Sequence, residues 1–120
     1  STSQTLLIRA VGPGLAAGNP ALNGLNLVTP TLTLFDSTGA VIGTNTGWGT
    51  APVRGNSTVA AGIQPATTAI MNGVYASPIA AGSADCAMVV TLPGNAGYTA
   101  QVNGAGSTTG IALVEVYNVP

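Results

Sequence analysis

The chain has 120 residues, and only 4% of them are charged, whereas typical soluble domains carry about 25%. It contains two arginines, three acidic residues and no lysine or histidine, which gives a net charge of −1. This composition excludes the basic footprint of a nucleic-acid-binding protein and any catalytic triad that uses histidine.

The first predicted strand covers residues 4–11 and is apolar on both faces. Strand alternation places two sets of side chains on opposite faces: Leu6, Ile8 and Ala10, against Leu7, Arg9 and Val11. The strand ends at Gly12-Pro13-Gly14, because proline cannot donate to a ladder and glycine permits a turn. We expect this segment to be a hinge, with residues 1–11 an N-terminal strand that is exchanged between subunits.

A predicted hairpin follows a loop-like segment at residues 15–29. Its strands cover residues 30–36 and 40–45, where leucines and threonines alternate. Asp36 and Gly39 specify its turn, because an aspartate bonds to the backbone two residues on and a glycine adopts left-handed conformations.

The middle of the chain departs from the strand pattern. Segment 46–62 is rich in glycine and irregular, and we expect Trp48 to anchor it to the core because a tryptophan buries a large area. A short helix is predicted over residues 65–74, with Pro65 in its first turn. Its apolar residues fall at helical spacing: Ala66, Ala69, Ile70 and Val74.

Three further strands are predicted at residues 83–92, 98–103 and 110–119. The last of them is again apolar on both faces: Ile111, Leu113, Glu115, Tyr117 and Val119, against Ala112, Val114 and Val116. An antiparallel strand normally has one polar face toward water. A strand that is apolar on both sides therefore needs a second cover.

Together these elements predict an all-β fold, an antiparallel, jelly-roll-like β-sandwich with one short helix near residues 65–74. We expect a single domain over residues 1–120. We expect no membrane span, because no apolar run approaches the roughly 20 residues that a spanning helix needs.

Four segments resemble a module that recurs in secreted and surface bacterial proteins: LLIRAVGPGL, TPTLTLFDSTGAVIGTN with the following Gly47-Trp48-Gly49, AGSADCAMVVTLPGNAGYTAQV, and STTGIALVEVYNV. That module is similar to the jelly-roll sandwiches appended to extracellular enzymes. The resemblance covers nearly the whole chain. It implies an extracellular or cell-surface location and a role in attachment or assembly, and it implies no catalytic residue.

The chemically active side chains are few, and we predict that the protein is not an enzyme and binds no metal or cofactor. Asp36 is assigned to its turn, and Asp85 is expected to bond loop backbone at the start of a strand. Cys86 is the only cysteine, and we expect it to be a small buried hydrophobe; the alternative is a bridge between subunits. Asn56 begins an Asn-Ser-Thr triplet and is a candidate glycan acceptor.

Arg9 and Glu115 are the two charges that interrupt otherwise apolar strand faces. An isolated charge in such a position is costly, so each needs a partner. We expect the first and last strands to lie close together and these side chains to bond each other, within one subunit or between two. The alternative is that each charge reaches solvent at the rim of a sheet.

These patterns favour an extracellular structural subunit that assembles with itself into a filament or surface layer, through strand addition and apolar contacts. The predicted contact residues lie in the first and last strands: Leu6, Leu7, Ile8, Arg9, Val11, Ile111, Leu113, Glu115 and Tyr117. The alternative is a carbohydrate- or protein-binding module of a larger secreted protein or adhesin. Its ligand platform, for which surface glycans are the candidate partner, would consist of Trp48, Tyr75 and Tyr98.

Overall fold

Eight strands form two four-stranded antiparallel sheets in a computed structural model that describes residues 2–120. The strands are β1 (Ser3–Val11), β2 (Pro30–Phe35), β3 (Val41–Asn45), β4 (Val53–Arg54), β5 (Ile63–Pro65), β6 (Cys86–Pro93), β7 (Thr99–Gly104) and β8 (Leu113–Val119). Sheet A has the order β5-β6-β1-β8, and sheet B has the order β4-β3-β2-β7. The predicted antiparallel β-sandwich is confirmed. Ser1, the first residue of the predicted exchanged strand, lies outside the described residues.

The main core lies between the two sheets. It is built from alternate residues of five strands: Ile8, Ala10, Leu32, Leu34, Ile42, Ile63, Cys86, Met88, Val90 and Leu92. Cys86 is fully buried and its thiol lies 3.1 Å from the carbonyl oxygen of Pro30. The prediction that Cys86 is a small buried core residue is confirmed.

A second apolar cluster covers the outer face of sheet A. There the remaining residues of β1 and β6 pack under the segment that contains helix α2 (Thr68–Gly73): Leu7, Ala66, Met71, Ala76, Ala87 and Val89. The two-faced pattern of β1 therefore has a simple cause, because the chain covers both faces of this central strand itself. A second subunit is not needed to hide it.

The Gly12-Pro13-Gly14 segment is fixed by hydrogen bonds and by a helix in the single chain, and its role as a hinge for strand exchange stays a prediction. Pro13 begins helix α1 (Pro13–Gly18). The buried Asp85 carboxylate accepts hydrogen bonds from the backbone N–H groups of Gly12, at 2.8 Å, and Gly14, at 3.0 Å. A Cβ atom on Gly12 would collide with the carbonyl oxygen of Leu27, so the backbone approach here requires glycine. Asp85 thus bonds loop backbone, as predicted.

The predicted helix is present but shorter than residues 65–74. Thr67 caps α2 by accepting a hydrogen bond from the N–H of Ile70 at 3.2 Å, so the helix begins at Thr68. Pro65 belongs instead to the end of β5. Short 3-10 turns lie at Pro20–Leu22 and Ala60–Gly62. Among the helices of residues 2–120, none has the length and apolar character to cross a membrane.

The two loop anchors predicted from sequence are confirmed. One carboxylate oxygen of Asp36 accepts from the N–H groups of Thr38, at 2.9 Å, and Ala40, at 3.0 Å, which closes the hairpin turn. Trp48 packs against the outer cluster, and its indole N–H donates to the carbonyl oxygen of Ala80 at 3.0 Å.

The two sides of the sandwich differ in their strand edges. On one side the edge strands β4 and β5 have only two and three residues. On the other side β7 and β8 have six and seven residues, and each pairs with a neighbour along one edge only. We call this second side, formed by Thr99–Gly104 and Leu113–Val119, the β7–β8 side.

Candidate functional site

Arg9 and Glu115 form the ion pair predicted from sequence, and they form it within one chain. They are direct partners in the register between β1 and β8. The guanidinium Nη2 lies 2.8 Å from Oε1 of Glu115, and Nε donates to the same oxygen at 3.0 Å. Arg9 is 1% exposed, and its Nη1 also donates to the carbonyl oxygen of Ser77 at 2.7 Å.

Tyr117 completes this network on β8. Its hydroxyl donates to Oε2 of Glu115 at 2.6 Å, and its ring lies 5.9 Å from the guanidinium carbon of Arg9. Burial, followed by the bond to Glu115, raises the pKa of Tyr117. Among the described residues, every buried side-chain nitrogen and oxygen has a hydrogen-bond partner. The network joins β8 to β1 through the side chains of Arg9, Glu115 and Tyr117.

The structure separates the predicted contact residues into two groups. Leu7, Ile8, Arg9 and Val11 are buried inside the single chain, and Leu6 is half-buried against the core, so these residues are not accessible on the surface of the folded chain. The physical reason is that β1 lies between β6 and β8, with cover on both faces. Their role as contacts between subunits through an exchanged strand stays a prediction. The group near the carboxyl end remains accessible: Ile111 and Leu113 are exposed, and Glu115 and Tyr117 are half-buried.

The three aromatic residues of the predicted ligand platform do not share a surface. Trp48 packs in the outer cluster, whereas Tyr98 packs against the core between the sheets and donates its hydroxyl to the carbonyl oxygen of Pro93. Only Tyr75 projects into solvent, with 94% of its surface exposed and a left-handed backbone (φ 60°). The structure does not bring these rings together.

Asn56 lies exposed in the loop that follows β4. The next residue, Ser57, is buried and donates its hydroxyl to Asp36. The Asn56 side chain is therefore accessible on a loop that is tied to the body of the protein, and its glycosylation stays a prediction.

The exposed apolar side chains concentrate around β8. Eight large hydrophobic residues are exposed among those described, and six of them lie in β8 or beside its start: Leu25, Val28, Ile111, Leu113, Val114 and Val116. We call these six residues the β8 patch. The backbone joins its parts, because Ile111 exchanges hydrogen bonds with Leu25 and Leu27.

Val114 and Val116 belong to the β8 patch but were not among the predicted contact residues. They pair in register with Ala10 and Ile8, so they continue the core-facing side of sheet A beyond the core. They are nevertheless 44% and 58% exposed, because β8 extends past the cover that sheet B provides. The sequence already indicated that Val114 and Val116 could be contact residues, because this face of the last strand is wholly apolar from Ala112 to Val116.

A cavity of about 640 Å³ adjoins β8 on the outer face of sheet A. Helix α1, the following turn and the segment near Ile79 form its walls, with Leu15, Leu22 and Leu113 among the apolar lining. Arg9 and Glu115 are its charged lining residues. Within residues 2–120, no three side chains of histidine, cysteine, aspartate or glutamate are grouped so that they could hold a metal ion.

Comparison of the chain with protein-family models, with curated proteins and with solved structures found no match. The resemblance to a secreted bacterial module therefore stays a prediction that rests on the four sequence segments.

Proposed function

We propose that this protein is a non-enzymatic structural subunit that associates with copies of itself on the cell exterior, in a filament or surface layer. The observation that carries the proposal is the β8 patch, which lies along a strand whose outer edge is unpaired. An exposed, long and apolar edge strand is a template for pairing with another chain. The cell-exterior location is supported by the sequence resemblance.

The charge pattern of β8 also supports strand addition. Edge strands of monomeric proteins are commonly guarded by lysine, proline or an inward-pointing charge. Glu115 is the only charged residue of β8, and Arg9 of the same chain already neutralises it. With lysine absent from the sequence, no lysine guards this edge.

The proposed mode of association differs from exchange of the N-terminal strand. Removal of β1 would break its ladders to both β6 and β8 and would expose the Arg9 guanidinium. Addition at the β7–β8 side breaks no contact within the subunit, because the edge of β8 is already free. Edge addition therefore needs no opening of the folded subunit, whereas exchange of β1 must break these contacts before they re-form in a partner.

Light scattering over a concentration series, with electron microscopy of the same samples, tests the proposal. We expect wild-type protein to form assemblies, and Val116→Lys to raise the concentration that they require by on the order of tenfold, the effect of losing about 1.4 kcal/mol of contact free energy. Val53→Lys is the matched control, since Val53 is 67% exposed on the short edge strand β4. Wild-type protein that stays monomeric throughout, or equal weakening by both substitutions, would contradict the proposal.

A binding module is the second candidate function, and the cavity beside β8 supports it. Its volume of about 640 Å³ lies within the range of small-molecule sites, roughly 300–1,000 Å³. The cavity suits a ligand whose apolar body contacts the leucines and whose single polar group contacts the Arg9–Glu115 ion pair. Titration with the fluorescent probe anilinonaphthalene sulfonate should then give saturable binding that Leu15→Trp removes by filling the cavity. Unsaturable binding, or equal binding by this variant, would contradict the second candidate.

A further inference from the structure

Among the strands of residues 2–120, the edge of β8 alone suits pairing between identical subunits. The β4 and β5 edges are short, and β5 ends in Pro65, which has no N–H to donate. The exposed side chains of β7 are polar: Thr99, Gln101 and Asn103. By contrast, β8 offers seven residues of free edge together with exposed Leu113, Val114 and Val116.

We infer that two copies of this chain pair antiparallel along β8, with Val116 of each copy opposite Val116 of the other. This inference rests on the proposed self-association and specifies its interface. A two-fold axis through Val116 aligns all seven residues of Leu113–Val119 with their counterparts. In this register Val114 and Val116 lie opposite Asn118 and Val116 of the second copy. These residues all lie on the same face of the sheet, because directly opposed residues of an antiparallel pair point to the same side.

The full overlap of seven residues favours this register, and the position of Glu115 disfavours one alternative. With Val116 on the axis, Glu115 lies opposite the uncharged Tyr117 of the second copy, so no like charges face each other. A shift that centres the pair on Glu115 would place two carboxylates opposite each other and would shorten the ladder, and like charges opposite each other are destabilising. A slip by one residue would turn the apolar face of one strand toward the wrong side of the sheet.

Such a contact is isologous and closes on itself, so it produces a dimer. Sheet A would continue through the axis as eight strands, and the Val116 side chains of the two copies would cover one another. A filament or layer would then require a second contact elsewhere, and the two-fold dimer would be its repeating unit.

Cysteine cross-linking tests the register. Directly opposed residues of an antiparallel pair have Cβ atoms about 4.5–5.5 Å apart, within reach of a short bis-thiol reagent. We expect Val116→Cys to cross-link to itself at least about tenfold faster than Val53→Cys, because pairing raises the effective thiol concentration. The native Cys86 is buried and gives the background in wild-type protein. A mixture of Val114→Cys and Asn118→Cys should cross-link, whereas neither variant should do so alone.

The outcomes separate this inference from the proposed function. Assemblies of wild-type protein whose Val116→Cys variant cross-links no faster than Val53→Cys would overturn the β8 contact and leave self-association standing. Monomeric wild-type protein would overturn both. Concentration-dependent slowing of amide hydrogen exchange in β8 of the unmodified protein checks the same contact without a substitution; unchanged exchange in assembled protein would overturn it.

Discussion

Arg9 and Glu115 are 106 residues apart in the chain, yet their side chains form a 2.8 Å ion pair that joins the first strand to the last. Arg9 is 1% exposed and Glu115 20% exposed, so the arginine bears most of the desolvation cost. Its bonds to Glu115 and to the Ser77 carbonyl offset that cost. The pair therefore holds edge strand β8 in place.

Replacing Arg9 with methionine should destabilise the protein by about 3 kcal/mol, because Glu115 and the Ser77 carbonyl lose their donor in a largely desolvated place. The double variant Arg9→Met with Glu115→Leu should recover most of this loss, since an apolar pair needs no partner. Urea denaturation of both variants measures the difference. An Arg9→Met protein as stable as wild type would show that the pair does not matter.

Removal of the Asp85 carboxylate should release the turn after β1. Its oxygens accept from Gly12, Gly14 and the Ser83 hydroxyl, and the residue is fully buried. We expect Asp85→Ala to lower the free energy of unfolding by about 3 kcal/mol, because buried N–H groups lose their acceptor. Asp85→Asn retains one acceptor oxygen, so its free energy of unfolding should fall by less than that of Asp85→Ala. Urea denaturation measures both changes. Equal losses in the two variants would argue against the hydrogen-bond explanation.

Two glycines at the ends of α1, Gly12 just before it and Gly18 as its last residue, should respond oppositely to alanine. Gly12→Ala drives a methyl group into the Leu27 carbonyl and should cost about 3 kcal/mol through overpacking. Gly18 has open space around a Cβ position, so Gly18→Ala should leave stability unchanged or raise it by up to about 1 kcal/mol. Thermal unfolding of the pair provides the comparison. A Gly12→Ala protein that melts with the wild type would disprove the close approach.

Asp36 should make the stability of the folded protein depend on pH in the acid range. The Ser57 hydroxyl first, and then the Thr38 hydroxyl, lower the pKa of Asp36 from 3.8 to about 2. Because the folded value lies below the unfolded one, this contribution to stability is complete above about pH 4 and is lost as the pH falls toward 2. Ser57→Ala should raise the pKa of Asp36 toward 3.8, as followed by carboxyl NMR. Thr58→Ala, at the exposed neighbouring residue, should not change it.

Strand positions were predictable because alternation and turn residues mark them locally. The turn at Asp36 and the anchoring of the loop by Trp48 followed from the chemistry of single residues. β4 and β5 were not predicted, because strands of two and three residues are too short to show alternation. Helix α1 was missed because Pro13, which ends a strand, also suits the first turn of a helix.

For a strand that is apolar on both faces, the sequence could not show whether the same chain or a second subunit packs on the second face. Both β1 and β8 show apolar residues on both faces, but β1 is central and β8 lies at an edge. The segment that covers the outer face of β1 has little periodicity of its own, so its docking depends on the tertiary fold. The Arg9–Glu115 pair was predictable for a different reason: each charge stood alone on an apolar strand face and so required a partner.

The antiparallel pairing of β1 with β8 has a mechanical consequence. Thr5 lies opposite Val119, so the chain enters and leaves sheet A at the same end. Tension between these two points would peel the strands apart one residue pair at a time, because the bonds of an antiparallel ladder run perpendicular to the strands. Separation of the strands would break the pairings of Leu6, Leu7 and Ile8 first and would then reach the Arg9–Glu115 ion pair. A load applied across the free edge of β8 would instead pull on the whole ladder together.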